Sequence, residues 1–81
     1  MDYDELVDIL NDNIVGMDIE LAEDLLRNKL EDFCMVDENI DDGIDDDVYL
    51  MMRSYDADNY DIRLYYADDD YKVSDFNVQT K

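Results

Sequence analysis

The apolar residues of this chain change their period near its midpoint, and no other feature restricts the fold as much. In the first half they recur every three or four residues, the spacing of one helix face; in the second they recur every second residue, the spacing of a half-buried strand. "DYDELVDILNDNIV" (residues 2–15) puts Leu6, Ile9, Leu10 and Ile14 on one side of a helix. Asp2 with Glu5 three residues on is an acidic variant of the capping box, and Gly16 is placed to stop the helix. "DIELAEDLLRNKLEDFCM" (18–35) predicts a second helix capped by Asp18, with Ile19, Ala22, Leu26, Leu30 and Phe33 as its stripe, widened by Leu25 and Cys34. With so short a link the two helices are expected to pack as neighbours.

Residues 36–47 hold Gly43 and a run of acids and read as a loop. Three strands follow: "DVYLMMRSY" (47–55), "YDIRLYY" (60–66) and "YKVSDFNVQ" (71–79). In the last, Val73 and Phe76 are out of phase, which demands a bulge. The connectors "DADN" and "ADDD" suit hairpin turns. The expected fold is therefore α+β: two N-terminal helices followed by a three-stranded antiparallel β-meander, as one domain over residues 1–81.

Charge bears on function more than on fold. Twenty-five acids face six bases, a formal net charge of -19, yet 47% of the residues are hydrophobic. That apolar content separates the chain from acidic disordered tails. Self-repulsion at this density costs stability, so stability is expected to rise with added salt and mild acidification. Direct phosphate-backbone binding is excluded, because it needs Lys and Arg.

Catalytic and cofactor chemistry finds little to use. The chain has no histidine and two glycines, so it offers neither an imidazole base nor a phosphate-cradling loop. "DENIDDGIDDD" fails as a calcium loop: with Asp37 first, the sixth position is Asp42 where Gly is needed, and the twelfth is Val48 where Glu is needed. No enzyme activity, cofactor or metal is expected. Cys34, the lone cysteine, stands in "DFCMV" and reads as a buried structural thiol outside an oxidising compartment. The start "MDYDELVDIL" is acidic where a secretory signal is basic, and no apolar run approaches the ~20 residues of a membrane span. The expected location is the cytoplasm.

The arrangement of the acids is the pointed signal. Asp4, Asp8 and Asp12 recur at i, i+4, i+8, a spacing that places Cβ atoms about 5–6 Å apart along one face. Glu20 and Asp24 repeat it on the second helix, and Asp41, Asp42, Asp45, Asp46 and Asp47 crowd the following segment. Successive phosphates along one DNA strand are roughly 6–7 Å apart, given a rise of 3.4 Å per residue and the displacement around the helix. Carboxylates at that pitch match a groove built for a nucleic-acid backbone. Tyrosine adds to this, because the chain has seven and Tyr supplies interface area with a polar tip. Tyr49 and Tyr60 are the tyrosines expected to join the acids at the partner surface. A salt-adapted surface and an immunity protein against a basic nuclease toxin explain the charge as well.

Small acidic domains of this layout resemble phage-encoded inhibitors of bacterial nucleic-acid enzymes: anti-CRISPR proteins, anti-restriction proteins and uracil-DNA glycosylase inhibitors. "DDDVYLMMRSYDADNYDIRL" (Asp45–Leu64) is similar to the strand–turn–strand of the glycosylase inhibitors, with a V-x-L start, Ser and Asp-Ala at the turn, then Tyr. Those inhibitors follow their first helix with a strand carrying Glu-Ser, whereas "MDIELAEDLL" follows here, so no functional residue carries over. The resemblance implies a nucleic-acid mimic. Its expected partner is a basic nucleic-acid-binding protein, with a Cas effector first, and its expected state is a monomer or homodimer.

Overall fold

The structure, a computed structural model, describes residues 2–43, 49–57 and 59–81, with the backbone alone for Asp41, Asp42, Gly43 and Tyr49. Helix α1 (Tyr3–Ile9) starts at Asp2, whose carboxylate accepts the Glu5 N–H at 2.9 Å. It continues as a π-helical turn over Leu10–Ile14, where Val15 donates to the Leu10 carbonyl five residues back. In this wider turn four residues fall short of a full rotation, where in the α-helix they exceed one. The drift of an i, i+4 row is thereby turned back, and Leu6, Leu10 and Ile14 are all fully buried. Gly16 ends the stretch with φ of 91°, a left-handed conformation that glycine adopts without the Cβ penalty.

Helix α2 (Ile19–Lys29) is capped by Asp18, which accepts the Glu20 N–H at 2.9 Å. It stops at Lys29, not at residue 35. Leu30 is already extended (φ -113°, ψ 143°), and Asp32 turns the chain with a φ of 54°. Leu30 is buried and Phe33 half-buried, so the apolar stripe outlasts the helix that began it.

Four strands follow, not three. β1 (Cys34–Gly43), β2 (Tyr49–Ala57), β3 (Tyr60–Ala67) and β4 (Val73–Thr80) form one antiparallel sheet in the order β1-β2-β3-β4. β1 takes in the end of the predicted second helix and residues 36–43 of the predicted loop. It sits at the sheet edge with every side chain from Cys34 to Ile40 exposed, so burial imposes no alternation on its sequence. Cys34 is accordingly exposed, which corrects the reading of a buried thiol. Residues 44–47 of the same predicted loop lie outside the described residues.

β3 alternates as its sequence predicts, with Tyr60, Ile62, Leu64 and Tyr66 inward. The bulge expected in the last strand is present. The β3–β4 register shifts where Tyr65 faces Asp75 and Tyr66 faces Val73, so both Val73 and Val78 are buried.

The helices cover one face of the sheet. Tyr3 hydrogen-bonds the Val78 carbonyl near one end of β4, and Gly16 donates to the Val73 carbonyl at the other, so α1 lies along β3 and β4. α2 returns over β2, where Glu23 meets Arg53 and Tyr55. Between them lies a core of Leu6, Leu10, Ile14, Ile19, Ala22, Leu26, Ile62, Leu64, Val73 and the rings of Tyr55 and Tyr66. Each fully buried aliphatic side chain there contributes roughly 1.5–3 kcal/mol by removal from water. No helix among the described residues is long and apolar enough to cross a membrane.

Candidate functional site: an acidic surface and the ion network beneath it

Asp4, Asp8 and Asp12 are exposed and stand two positions away from Leu6, Leu10 and Ile14. Two residues are about half a helical turn. The aspartate row is therefore the back of the helix whose front is the core row. Among the described residues no hydrogen bond or ion pair engages the carboxylates of Asp4, Asp8 and Asp12.

On α2, Glu20 is exposed, while Asp24 is held at 3.2 Å by Arg27. Asp41 and Asp42 lie near the end of β1, with only their backbone described, and the same holds for Tyr49 at the start of β2. Asp45, Asp46 and Asp47 lie outside the described residues. Tyr60 belongs to the core at 7% exposure, its ring tilted against Tyr3 at 6.4 Å, which leaves it little surface for a partner. Tyr55 and Tyr66 are likewise core residues, so three of the seven tyrosines serve the interior.

The fold gathers further acids that the sequence reading assigned to a turn. The end of β1, the start of β2, the end of β3 and the start of β4 share one end of the sheet, because Leu50 faces Ala67 and Tyr66 faces Val73. The α1–α2 connection joins them there: Ile19 donates to the Tyr71 carbonyl at 2.7 Å, and the backbones of Asp18 and Lys72 pair in an antiparallel β-bridge. This end collects Asp12, Asp18, Glu20, Asp41, Asp42 and the turn Asp68–Asp70, with Lys72 as its base. The opposite end carries Arg27, Lys29 and Lys81, and Lys81 pairs with Asp56. That end is acidic too, with Asp2, Glu5, Glu31, Asp32, Asp56 and Asp61, so what sets the ends apart is where the bases stand. No spacing rule could have found this grouping, since it joins segments more than fifty residues apart.

Beneath the surface lies one network that sequence reading missed. Arg53 points from β2 toward the helices at 17% side-chain exposure. It donates to Glu23 of α2 at 2.9 Å and to Glu38 of β1, and its guanidinium lies 5.4 Å from the centre of the Tyr66 ring. The Tyr66 hydroxyl donates to Glu38 at 3.0 Å, and the Tyr55 hydroxyl donates to Glu23 at 3.2 Å. Arg27 completes the set with a 2.9 Å pair to Glu23. The Arg53 and Tyr66 hydrogen bonds hold the Glu38 carboxyl below the ordinary carboxylate value. Burial, then the neighbouring carboxylate, pushes the Tyr55 and Tyr66 hydroxyls up. Burial opposes the charge on Arg53, but the bond to Glu38 and the surrounding groups outweigh it and raise its proton affinity. No local signal marked it: only the burial of Tyr55 and Ala57, at even spacing from Arg53, shows that this arginine stands on the inward side.

A shallow cleft of about 230 Å³ opens beside this network, lined by Asp18, Ile19, Glu20, Arg53 and Tyr71. Tyr71 is 52% exposed, with its ring stacked on Tyr66 at 6.0 Å. Among the described residues no group of three or more Cys, Asp or Glu is placed to hold a metal ion. Comparison with known proteins places the chain in no group: no family model, no curated protein and no solved structure matches it.

Proposed function

We propose that this chain is a nucleic-acid-mimicking inhibitor that acts in the cytoplasm by occupying the basic groove of a DNA- or RNA-binding protein, without catalysing a reaction. The observation that carries the reading is the exposed row Asp4, Asp8, Asp12, which no described side chain neutralises. Each like-charge pair at i, i+4 costs a few tenths of a kcal/mol in the isolated helix. An ordinary surface helix recovers that amount by alternating Glu and Lys. A partner's cationic groove recovers it on binding instead, and focuses the incoming polyanion as it does a nucleic acid.

Within this class the first target is the DNA-binding groove of a Cas effector, as the resemblance to anti-CRISPR proteins implies. A restriction enzyme, a uracil-DNA glycosylase and a nuclease toxin are the other members of the same physical class. The test is capture of the target from a bacterial lysate on the immobilised chain, followed by elution with duplex DNA. The expected result is a basic nucleic-acid-binding protein released by DNA, with an affinity that drops steeply as salt rises. Replacing Asp4, Asp8 and Asp12 together by Asn should weaken capture about tenfold, the equivalent of 1.4 kcal/mol. A target that keeps its grip at high salt, or that binds DNA and this chain at once, would overturn the reading.

A further inference from the structure

The two edges of the sheet are closed in different ways. At β4 the α1–α2 connection lies against the first residue: Val73 accepts from Gly16 at 2.7 Å and donates to Met17 at 2.9 Å. Register shifts interrupt both edge strands, one in β4 and two in β1. β1 has no such cover, since among the described residues no element pairs with its outer side. Its apolar side chains stand in water: Val36 is 65% and Ile40 61% exposed.

What occupies β1 is a single carboxylate. Asp37 accepts the backbone N–H of Glu38 at 2.9 Å, and its other oxygen accepts the side-chain amide of Asn39. The Glu38 amide is therefore taken by its own neighbour. An edge held only by so local a latch is a template for another strand. A second copy is a poor occupant, because it would bring Asp37 and Glu38 against acids of an equally charged chain. A neutral strand has nothing to draw Asp37 away. A strand with a lysine or arginine at the matching position does, and β-strand addition is an established mode of peptide capture.

We infer that β1 is a docking edge for an extended, alternately apolar and basic segment of the partner, whose cation takes the Asp37 carboxylate while its carbonyl takes the Glu38 amide. The apolar side chains of that segment cover Val36 and Ile40. This inference deepens the reading above and rests on the partner being basic. It differs in placing part of the contact on the sheet edge and not on the α1 row.

The test uses the whole chain and two synthetic ten-residue peptides, one alternating valine with lysine and one alternating valine with serine. Backbone amide shifts of residues 34–40 report the site, and titration gives the affinity. The valine–lysine peptide should shift these amides and bind at least tenfold more tightly than the valine–serine one. The double variant Val36→Lys, Ile40→Lys should lose about tenfold of that affinity with its melting temperature unchanged, both sites being exposed. Val15→Lys with Leu21→Lys makes the same change of charge on the α1–α2 connection and α2, and should lose less than threefold. Asp37→Ala removes the latch, and the two peptides should then bind alike. Equal losses in the two lysine variants, shifts centred on α1, or no binding by either peptide would overturn the docking edge. Capture of a DNA-competed target would survive that failure, so the two readings fall separately.

Discussion

Glu23 and Glu38 at the Arg53 junction, and Asp4, Asp8 and Asp12 on the back of α1, are the same chemistry put to opposite uses. The first two converge on Arg53 and on the hydroxyls of Tyr55 and Tyr66, joining α2, β1, β2 and β3 at one junction. The other three touch no described cation and face solvent along a helix already held by Leu6, Leu10 and Ile14. The fold uses one group and tolerates the other. The comparison teaches where to look for function: charge that contributes nothing to folding is charge free to meet a partner.

Arg53→Met tests the first half of that contrast and should have the largest effect. It leaves Glu23 and Glu38 facing a half-buried site without their shared cation, at a cost of about 2–3 kcal/mol, between the exposed and fully buried limits for broken pairs. Chemical denaturation at neutral pH measures it. Arg53→Lys keeps the charge but loses the fork that reaches two carboxylates, so it should recover only part of the loss. A variant as stable as the parent would show that apolar packing alone seats α2.

Glu38 offers a smaller effect with a defined sign. Its folded-state affinity for a proton is lowered by Arg53 first and Tyr66 second. A depressed carboxyl contributes stability that is present above its unfolded value and is lost as pH falls through its folded value. The window therefore lies below the ordinary value of 4.5. Glu38 is 38% exposed at its side chain, so solvent screening reduces the contribution to about 0.5 kcal/mol. The parent should exceed Glu38→Gln by that amount at pH 7, and the gap should close as the pH is taken well below 4.5. A gap that persists in acid would assign the effect to packing. This is the reverse of what crowding alone predicts for carboxylates in so acidic a chain, because one arginine at bonding distance outweighs many distant negative charges.

How much of this was legible in the sequence depends on whether burial disciplined the residues concerned. α1, β3 and the β4 bulge were readable because Leu6, Ile62 and Val73 must point inward, and a side chain that must point inward imposes a period. Both N-caps were readable because Asp2 and Asp18 act within three residues of themselves. β1 was not, because an edge strand held by backbone bonds and exposed on all its described side chains carries no such constraint. The end of α2 was misplaced for a related reason, as Leu30 and Phe33 stay apolar to pack from an extended chain. Of the candidate site, the α1 row was legible since it is local. The Arg53 junction and the gathering of Asp12, Asp18 and Glu20 beside the Asp68–Asp70 turn were not, since both are made by pairing across distant segments.

The smallest effect tests the second half of the contrast. If the row contributes nothing to the fold, replacing Asp8 and Asp12 by Asn removes both i, i+4 repulsions, leaves Asp4 in the first turn where the helix N-terminus favours it, and should stabilise the chain by a few tenths of a kcal/mol at low salt. The gain should fade in 1 M salt, where the screening length is about 3 Å and shorter than the separation of the carboxylates. Thermal melts of parent and variant at the two salt concentrations decide it, and the sign carries the argument. A variant less stable than its parent would mean that the row takes part in folding after all, and the absence of a described partner would then no longer mark it as a binding surface. A variant slightly more stable, yet weaker in capture, describes a surface kept against the interest of the fold that carries it.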